Sequence, residues 1–150
     1  MAVDQNVTSK KVEVIHPSGS KIIAMIKQAG IREIVALPDI VTSESLLWPM
    51  SKDPEFRVTR ICKEDEGISI CGAMSYNGTR ALLLIQQTGL MDSLNALRAV
   101  GVDYHLPVVI MVGLQGKEPS VHPDQSAVYG VRTVSYTHLT LPTSSVVVLW

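Results

Sequence analysis

The densest run of reactive side chains is Lys63-Glu64-Asp65-Glu66, three carboxylates and a cation directly ahead of the small and apolar run Gly67-Ile68-Ser69-Ile70-Cys71-Gly72-Ala73. Carboxyl groups share protons with bound ligands when burial and neighbours bring their affinity for a proton into range. At the start of a helix any one of these acids gains about 0.3–1 kcal/mol from the aligned peptide dipoles. That explains an acid in this place but not why the residues after it lack a polar face. Gln86-Gln87-Thr88-Gly89 follows an apolar run and is rich in donors and acceptors. Gln115-Gly116-Lys117 offers backbone donors and a cation suited to an anionic tail, with His122 farther along the same Pro-bearing loop. His105 reads as a surface residue at the opposite edge of the sheet, and His16 lies before the first helix with no partner nearby in sequence, so neither is a candidate. Cys62 and Cys71 lack zinc-ligand spacing and have no companion pair, so both read as reduced structural thiols.

The elements that must carry these groups alternate along the chain. Ile22, Ile23, Ile26 and Ala29 recur at helical spacing after Ser18-Gly19-Ser20, and Gly30 ends that helix. Ile31–Leu37 reads as a buried strand stopped by Pro38, Ser43–Met50 as a helix and Arg57–Cys62 as a strand. Glu64–Tyr76 reads as a helix buried on most sides and ended by Asn77-Gly78. A strand over Ala81–Ile85, a helix over Asp92–Val102 capped by Asp92 and a strand over Pro107–Val112 complete the order.

Strands apolar on both faces and separated by helices imply a three-layer α/β/α fold with a doubly wound parallel sheet. Ligands of such sheets bind beyond the carboxyl ends of the strands. Those ends are Leu37-Pro38-Asp39, Cys62-Lys63-Glu64, Gln86–Gly89 and Gly113–Gly116, which puts the candidate chemistry on one edge.

The 150 residues suit one domain, and 46% hydrophobic against 18% charged suits a packed core. A net charge of −1 with few aromatics gives no footprint for nucleic acid. No apolar run approaches the ~20 residues that span a bilayer, and the polar start lacks a signal core, so a cytosolic protein is expected. Neither a P-loop nor GxGxxG occurs.

From Val134 the character changes. Val134-Ser135-Tyr136-Thr137-His138-Leu139-Thr140-Leu141-Pro142-Thr143 resembles, codon for codon, the conceptual translation of a transposase-end sequencing adapter. The expected division is therefore a domain over 1–133, truncated at its C-terminus, and a non-native tail over 134–150, with the natural gene continuing past Thr133. The competing reading of the end is a Thr-rich loop followed by a Val strand, Val146–Leu149.

The segment from Cys62 to Ala73, together with Ala81–Leu97, resembles the pyrimidine-binding (PYR) domain of thiamine diphosphate (ThDP)-dependent decarboxylases that act on sulfopyruvate and phosphonopyruvate. Those proteins carry a Lys-Glu-Glu-Glu-Gly-type segment, then a Gln-Asn-Ser-Gly-Leu-Gly-Asn-type loop and an Asn-Ala-Leu helix. Ala36-Leu37-Pro38-Asp39 and Pro107-Val108-Val109-Ile110 fit the same pattern, so the likeness covers residues 18–133. Gln87 and Thr88 stand where the pattern has Asn and Ser, and Met91 where it has Gly, which leaves the substrate open.

The resemblance implies the ThDP-binding fold and a glutamate that hydrogen-bonds N1′ of the cofactor's aminopyrimidine. Through that bond the cofactor gains a nucleophilic carbon, which adds to a 2-oxoacid and accepts electrons as carbon dioxide leaves. Ungapped comparison places the glutamate at Glu64, with Glu66 second and the shorter Asp65 third. Pro38 and Asp39 would lie at the cofactor, and Gln86, Gln87, Thr88 and Gln115 at the substrate.

The family's Gly-Asp-Gly segment for Mg2+ and diphosphate is absent from this sequence. The resemblance therefore implies a diphosphate-binding β subunit or a missing downstream domain as partner, within an oligomer whose sites form between chains. The expected role is a sulfopyruvate-decarboxylase-like α subunit. Alternatives are a phosphonopyruvate or other 2-oxoacid decarboxylase domain of a fused chain, a non-catalytic assembly subunit of the same fold, or a flavodoxin-like binder.

Overall fold

The computed structural model of the chain describes residues 18–114 and the backbone of residues 146–149. Five parallel strands form one sheet: β1 (Glu33–Ala36), β2 (Arg57–Arg60), β3 (Ala81–Gln86), β4 (Val109–Gly113) and β5 (Val146–Leu149), in the order β2-β1-β3-β4-β5. The expected parallel α/β architecture is the one observed. The order reverses between β1 and β3, and at such a switch point an open sheet leaves a crevice at its carboxyl edge. Gln86 at the end of β3 lies opposite Gly113 of β4, and Ala36 at the end of β1 lies opposite both Leu84 and Arg60. Every strand-end loop therefore leaves the same edge.

The strands β1, β3 and β4 bury both faces, as parallel strands flanked by helices do, whereas β2 is largely exposed. Ile34, Ala36, Leu82, Leu84 and Met111 pack beneath α1 (Gly19–Gln28) and α2 (Trp48–Lys52). Val35, Leu83, Ile85, Ile110 and Val112 pack beneath α3 (Glu64–Tyr76) and the helical run after β3. Among the described residues no helix is long and apolar enough to cross a membrane.

The bounds of α3 are those expected from the sequence, and Gly78 behind it takes the left-handed conformation with φ 74°. Its burial differs from expectation. Gly67, Ile68, Cys71 and Gly72 are buried, whereas Glu66, Ser69, Ala73 and Tyr76 face solvent in the isolated chain. Its small residues serve close approach on one side. A Cβ at Gly67 would fall 2.8 Å from Ile61 Cδ1 and closer still to Leu83 Cδ1.

The helix expected from Asp92 begins earlier. It runs as α4 (Gln87–Asp92), α5 (Leu94–Leu97) and a π-helical turn (Arg98–Asp103), so Asp92 ends α4 and caps nothing. The reason is burial at helical spacing: Gln87 and Leu90 both pack inward, which the polar composition of the loop conceals. Ser43–Met50, expected as one helix, divides into a π-helical turn (Ser43–Leu47) and α2. The domain boundary at Thr133 and the decapeptide after it lie outside the described residues.

The two thiols part company. Cys71 is buried and its pKa is pushed up to about 12 by loss of hydration, while Cys62 is exposed, contrary to the expectation of a buried structural thiol. One thiol should therefore react promptly with a disulfide reagent at neutral pH, since only the thiolate attacks. The second should react at the rate of chain opening. Two equally fast thiols in mass-resolved labelling would contradict the packing of α3.

Candidate active site

Beyond β2 the backbone of Ile61 donates to Ala36 O at 3.1 Å, keeping the chain in register past the last strand residue. Lys63 is extended, with φ −147° and ψ 146°, and α3 starts at Glu64. Free amides at the first turn of a helix need acceptors. Glu66 supplies one, its Oε2 accepting from Cys62 N at 3.0 Å and Lys63 N at 3.3 Å. Asp65 Oδ1 accepts from Glu66 N at 3.0 Å. Two of the three acids are thus committed to starting the helix.

Glu64 differs from both. It is half-buried, and among the described residues its carboxylate takes part in no hydrogen bond or ion pair. Its Cγ, Cδ and Oε1 lie directly against Gly89, in the space that a Cβ would occupy. Glu64 is the first member of the inward stripe of α3, one turn before Ile68. The face that buries the helix therefore also aims this carboxylate at the loop after β3.

That loop is tightly held. Gln86 Nε2 donates to Thr88 Oγ1 at 2.8 Å, Gln87 is 2% exposed, and Ser93 Oγ donates to Gly89 O at 2.7 Å. Lys63 Nζ reaches across to Asp92 at 3.0 Å. The hydrogen bond to Asp92, with the added field of Asp65, raises the Lys63 pKa above the ordinary ammonium value. Gln86, Gln87 and Thr88 belong to the segment that carries Gly89, the residue against which Glu64 packs. Gly89, Ser93 and the Lys63–Asp92 bridge were not anticipated, and the only sign of them in the sequence is a glycine among polar loop residues.

Pro38 and Asp39 lie on the same edge but are used differently. Asp39 Oδ1 accepts from Val41 N and Thr42 N, both at 2.6 Å, and Oδ2 accepts from Thr42 Oγ1 at 2.5 Å. Asp39 N in turn donates to Ser43 Oγ at 3.0 Å. The carboxylate closes its own turn, and the loop arches over β4, where a Cβ at Gly113 would fall 2.9 Å from Thr42 Cγ2. Pro38 is exposed.

Gln115, Gly116, Lys117, His122 and His16 lie outside the described residues. His105 is exposed, with a left-handed φ of 55°, and precedes β4 at the opposite edge. An open cleft of about 550 Å³ flanks α3 on its other side, lined by Arg60, Cys62, Asp65, Glu66, Ser69 and Ile70 among others, and Glu64 does not border it. Among the described residues no group of three His, Cys, Asp or Glu could hold a metal ion.

No family model matches the sequence. The chain is 32% identical over 103 residues to sulfopyruvate decarboxylase of Methanosarcina acetivorans, a match covering 69% of this chain and 26% of that protein. It is 29% identical over 101 residues to sulfopyruvate decarboxylase subunit alpha of Methanothermobacter thermautotrophicus, covering 67% of this chain and 61% of the relative. The chain therefore spans less than two thirds of the curated relatives it matches. Its fold is shared with benzoylformate decarboxylase from Polynucleobacter necessarius (TM-score 0.59, 14% identity, 70% of this chain and 19% of that one). It is shared equally with a thiamine diphosphate-dependent 4-hydroxybenzoylformate decarboxylase of Rhodococcus jostii RHA1 (TM-score 0.58, 20% identity, 69% of this chain and 19% of that one).

Proposed function

We infer that this chain, related in sequence to sulfopyruvate decarboxylase and sharing the fold of ThDP-dependent enzymes, is the pyrimidine-binding part of a ThDP-dependent decarboxylase of small anionic 2-oxoacids. The observation that carries this reading is the Glu64 carboxylate, half-buried at the strand-end edge, with no partner among the described residues. A carboxylate so placed fits a weakly basic ring nitrogen that must share a proton with it. The bound cofactor supplies the electron sink for loss of carbon dioxide.

Each residue on the edge then has a distinct task. Glu64 holds a proton between its carboxylate and N1′ of the aminopyrimidine. Gln86 and Thr88, bonded to one another, present polar groups to the substrate, while buried Gln87 fixes the loop that carries them. Asp39 keeps the loop after β1 folded over β4, so Pro38 and Asp39 would meet the cofactor as a shaped wall and not through the carboxylate. Gln115 would complete the substrate pocket.

Diphosphate and Mg2+ fall to a second unit, because the sequence lacks the Gly-Asp-Gly segment that the resemblance associates with them. One relative matched here is an α subunit by its own name, which favours a separate β subunit as that unit.

The test is titration of ThDP and Mg2+ into the chain mixed with a diphosphate-binding β subunit of the sulfopyruvate decarboxylase type. Cofactor-dependent release of carbon dioxide from sulfopyruvate is expected, with none from either subunit alone. Binding of ThDP without release from any small 2-oxoacid would transfer the chain to the non-catalytic assembly role. Failure to bind ThDP in the mixture would end the proposal.

A further inference from the structure

The described glycines do two different things. Gly30 and Gly78 have φ of 75° and 74° with nothing within 4 Å of an added Cβ, so they are present for conformation. Gly89 is the opposite case. It lies inside α4 with no left-handed φ, a setting in which alanine is the better residue. What it provides is space, and that space is filled by the distal half of Glu64, from Cγ through Oε1.

Both backbones are tied to their surroundings. The start of α3 is held by Glu66 on the amides of Cys62 and Lys63, and Lys63 bridges to Asp92 at the end of α4. On the other side Leu90 is 3% exposed and Ser93 Oγ ties back to Gly89 O at 2.7 Å. The atoms in the way are the far end of a half-buried side chain, so an added methyl group is accommodated most readily by displacing the Glu64 carboxylate. Gly67 is a useful contrast, because its neighbours are Leu83 and Ile61, both buried in the core, so a side chain there would meet packed apolar atoms and not a carboxylate.

We propose that Gly89 is a positioning residue for Glu64: its bare Cα is the seat that sets the direction of the carboxylate, and any side chain there expels it. The functional consequence rests on the reading of Glu64 as the cofactor's proton-sharing partner, but the seat itself does not.

A double-substitution cycle with Gly89→Ala and Glu64→Ala separates the two. In thermal melts of the full chain, Gly89→Ala lowers Tm modestly, by about 1–3 °C, because the half-buried Glu64 side chain loses its packing when the methyl group displaces it. In the Glu64→Ala background the same change is neutral or raises Tm, because the clash is gone and alanine outranks glycine in a helix. In the mixture with a β subunit, each single substitution weakens ThDP binding by roughly tenfold or more, the loss expected for one hydrogen bond to a charged group. The double variant is no weaker than Glu64→Ala alone.

Equal destabilisation by Gly89→Ala in both backgrounds overturns the proposal. So does a Gly89→Ala variant with unchanged Tm and unchanged ThDP affinity. Unchanged Tm with an affinity loss matching that of Glu64→Ala upholds it. Coupled melting with no change of ThDP affinity in either variant upholds the seat and removes the cofactor role of Glu64.

Discussion

Glu64→Gln in the reconstituted holoenzyme should lower turnover by roughly 10²–10⁴-fold, the range associated with one positioned proton-transfer group. The amide keeps the size of the side chain, so it fits the seat at Gly89 and the chain folds as before. It cannot hold a proton between itself and a ring nitrogen as a carboxylate does. The informative control is Glu66, whose Oε2 accepts from two amides at the start of α3. Glu66→Ala should cost about 0.5–2 kcal/mol of stability, as loss of a helix cap does, and should leave most turnover intact. Turnover is measured as cofactor-dependent carbon dioxide release with sulfopyruvate, and stability by urea denaturation. Full activity in Glu64→Gln, or a collapse of turnover in a folded Glu66→Ala, would assign the chemistry elsewhere.

The largest structural effect is expected at Ile68. Its side chain is 0% exposed and belongs to the core between α3 and the sheet, one turn after Glu64. Ile68→Ala should cost about 2–5 kcal/mol through lost burial and the cavity left behind. Domains of this kind have about 5–15 kcal/mol in total. Ile68→Val, which removes one methyl group, should cost about 0.5–1.5 kcal/mol. Because the same stripe of α3 aims Glu64 at Gly89, the alanine variant should also weaken ThDP binding in the mixture with a β subunit. A loss below about 1 kcal/mol, with an unchanged denaturant slope, would show that α3 is not seated on β3 as described.

Much of the architecture was legible because it depends on local patterns. Continuous apolar runs such as Ala81–Ile85, too short for a helix and bounded by turn residues, read as strands buried on both faces, and alternation with helices makes the sheet parallel. Once the sheet is parallel, its strand ends must share an edge, which puts the acidic cluster and the Gln86–Gly89 loop on the same side of the sheet. The extent of α3 was equally plain, since acids mark its start and Asn77-Gly78 its end.

Local pattern failed where a residue's fate depends on what lies across the fold. Three adjacent acids look alike as text. Hydrogen bonding to the amides just before the helix commits Glu66, bonding to a first-turn amide commits Asp65, and packing against the segment after β3 turns Glu64 the other way. Asp39 looked available and is consumed by its own turn. The start of α4 at Gln87 was hidden because a glutamine and a glycine, which compose a loop by type, are buried by position. Composition and period thus determined the layers, the strand direction and the edge that carries the chemistry. Which carboxylate on that edge has no partner among the described residues, and which way it points, was decided only by close packing between residues far apart in the chain, a contact that leaves no periodic trace.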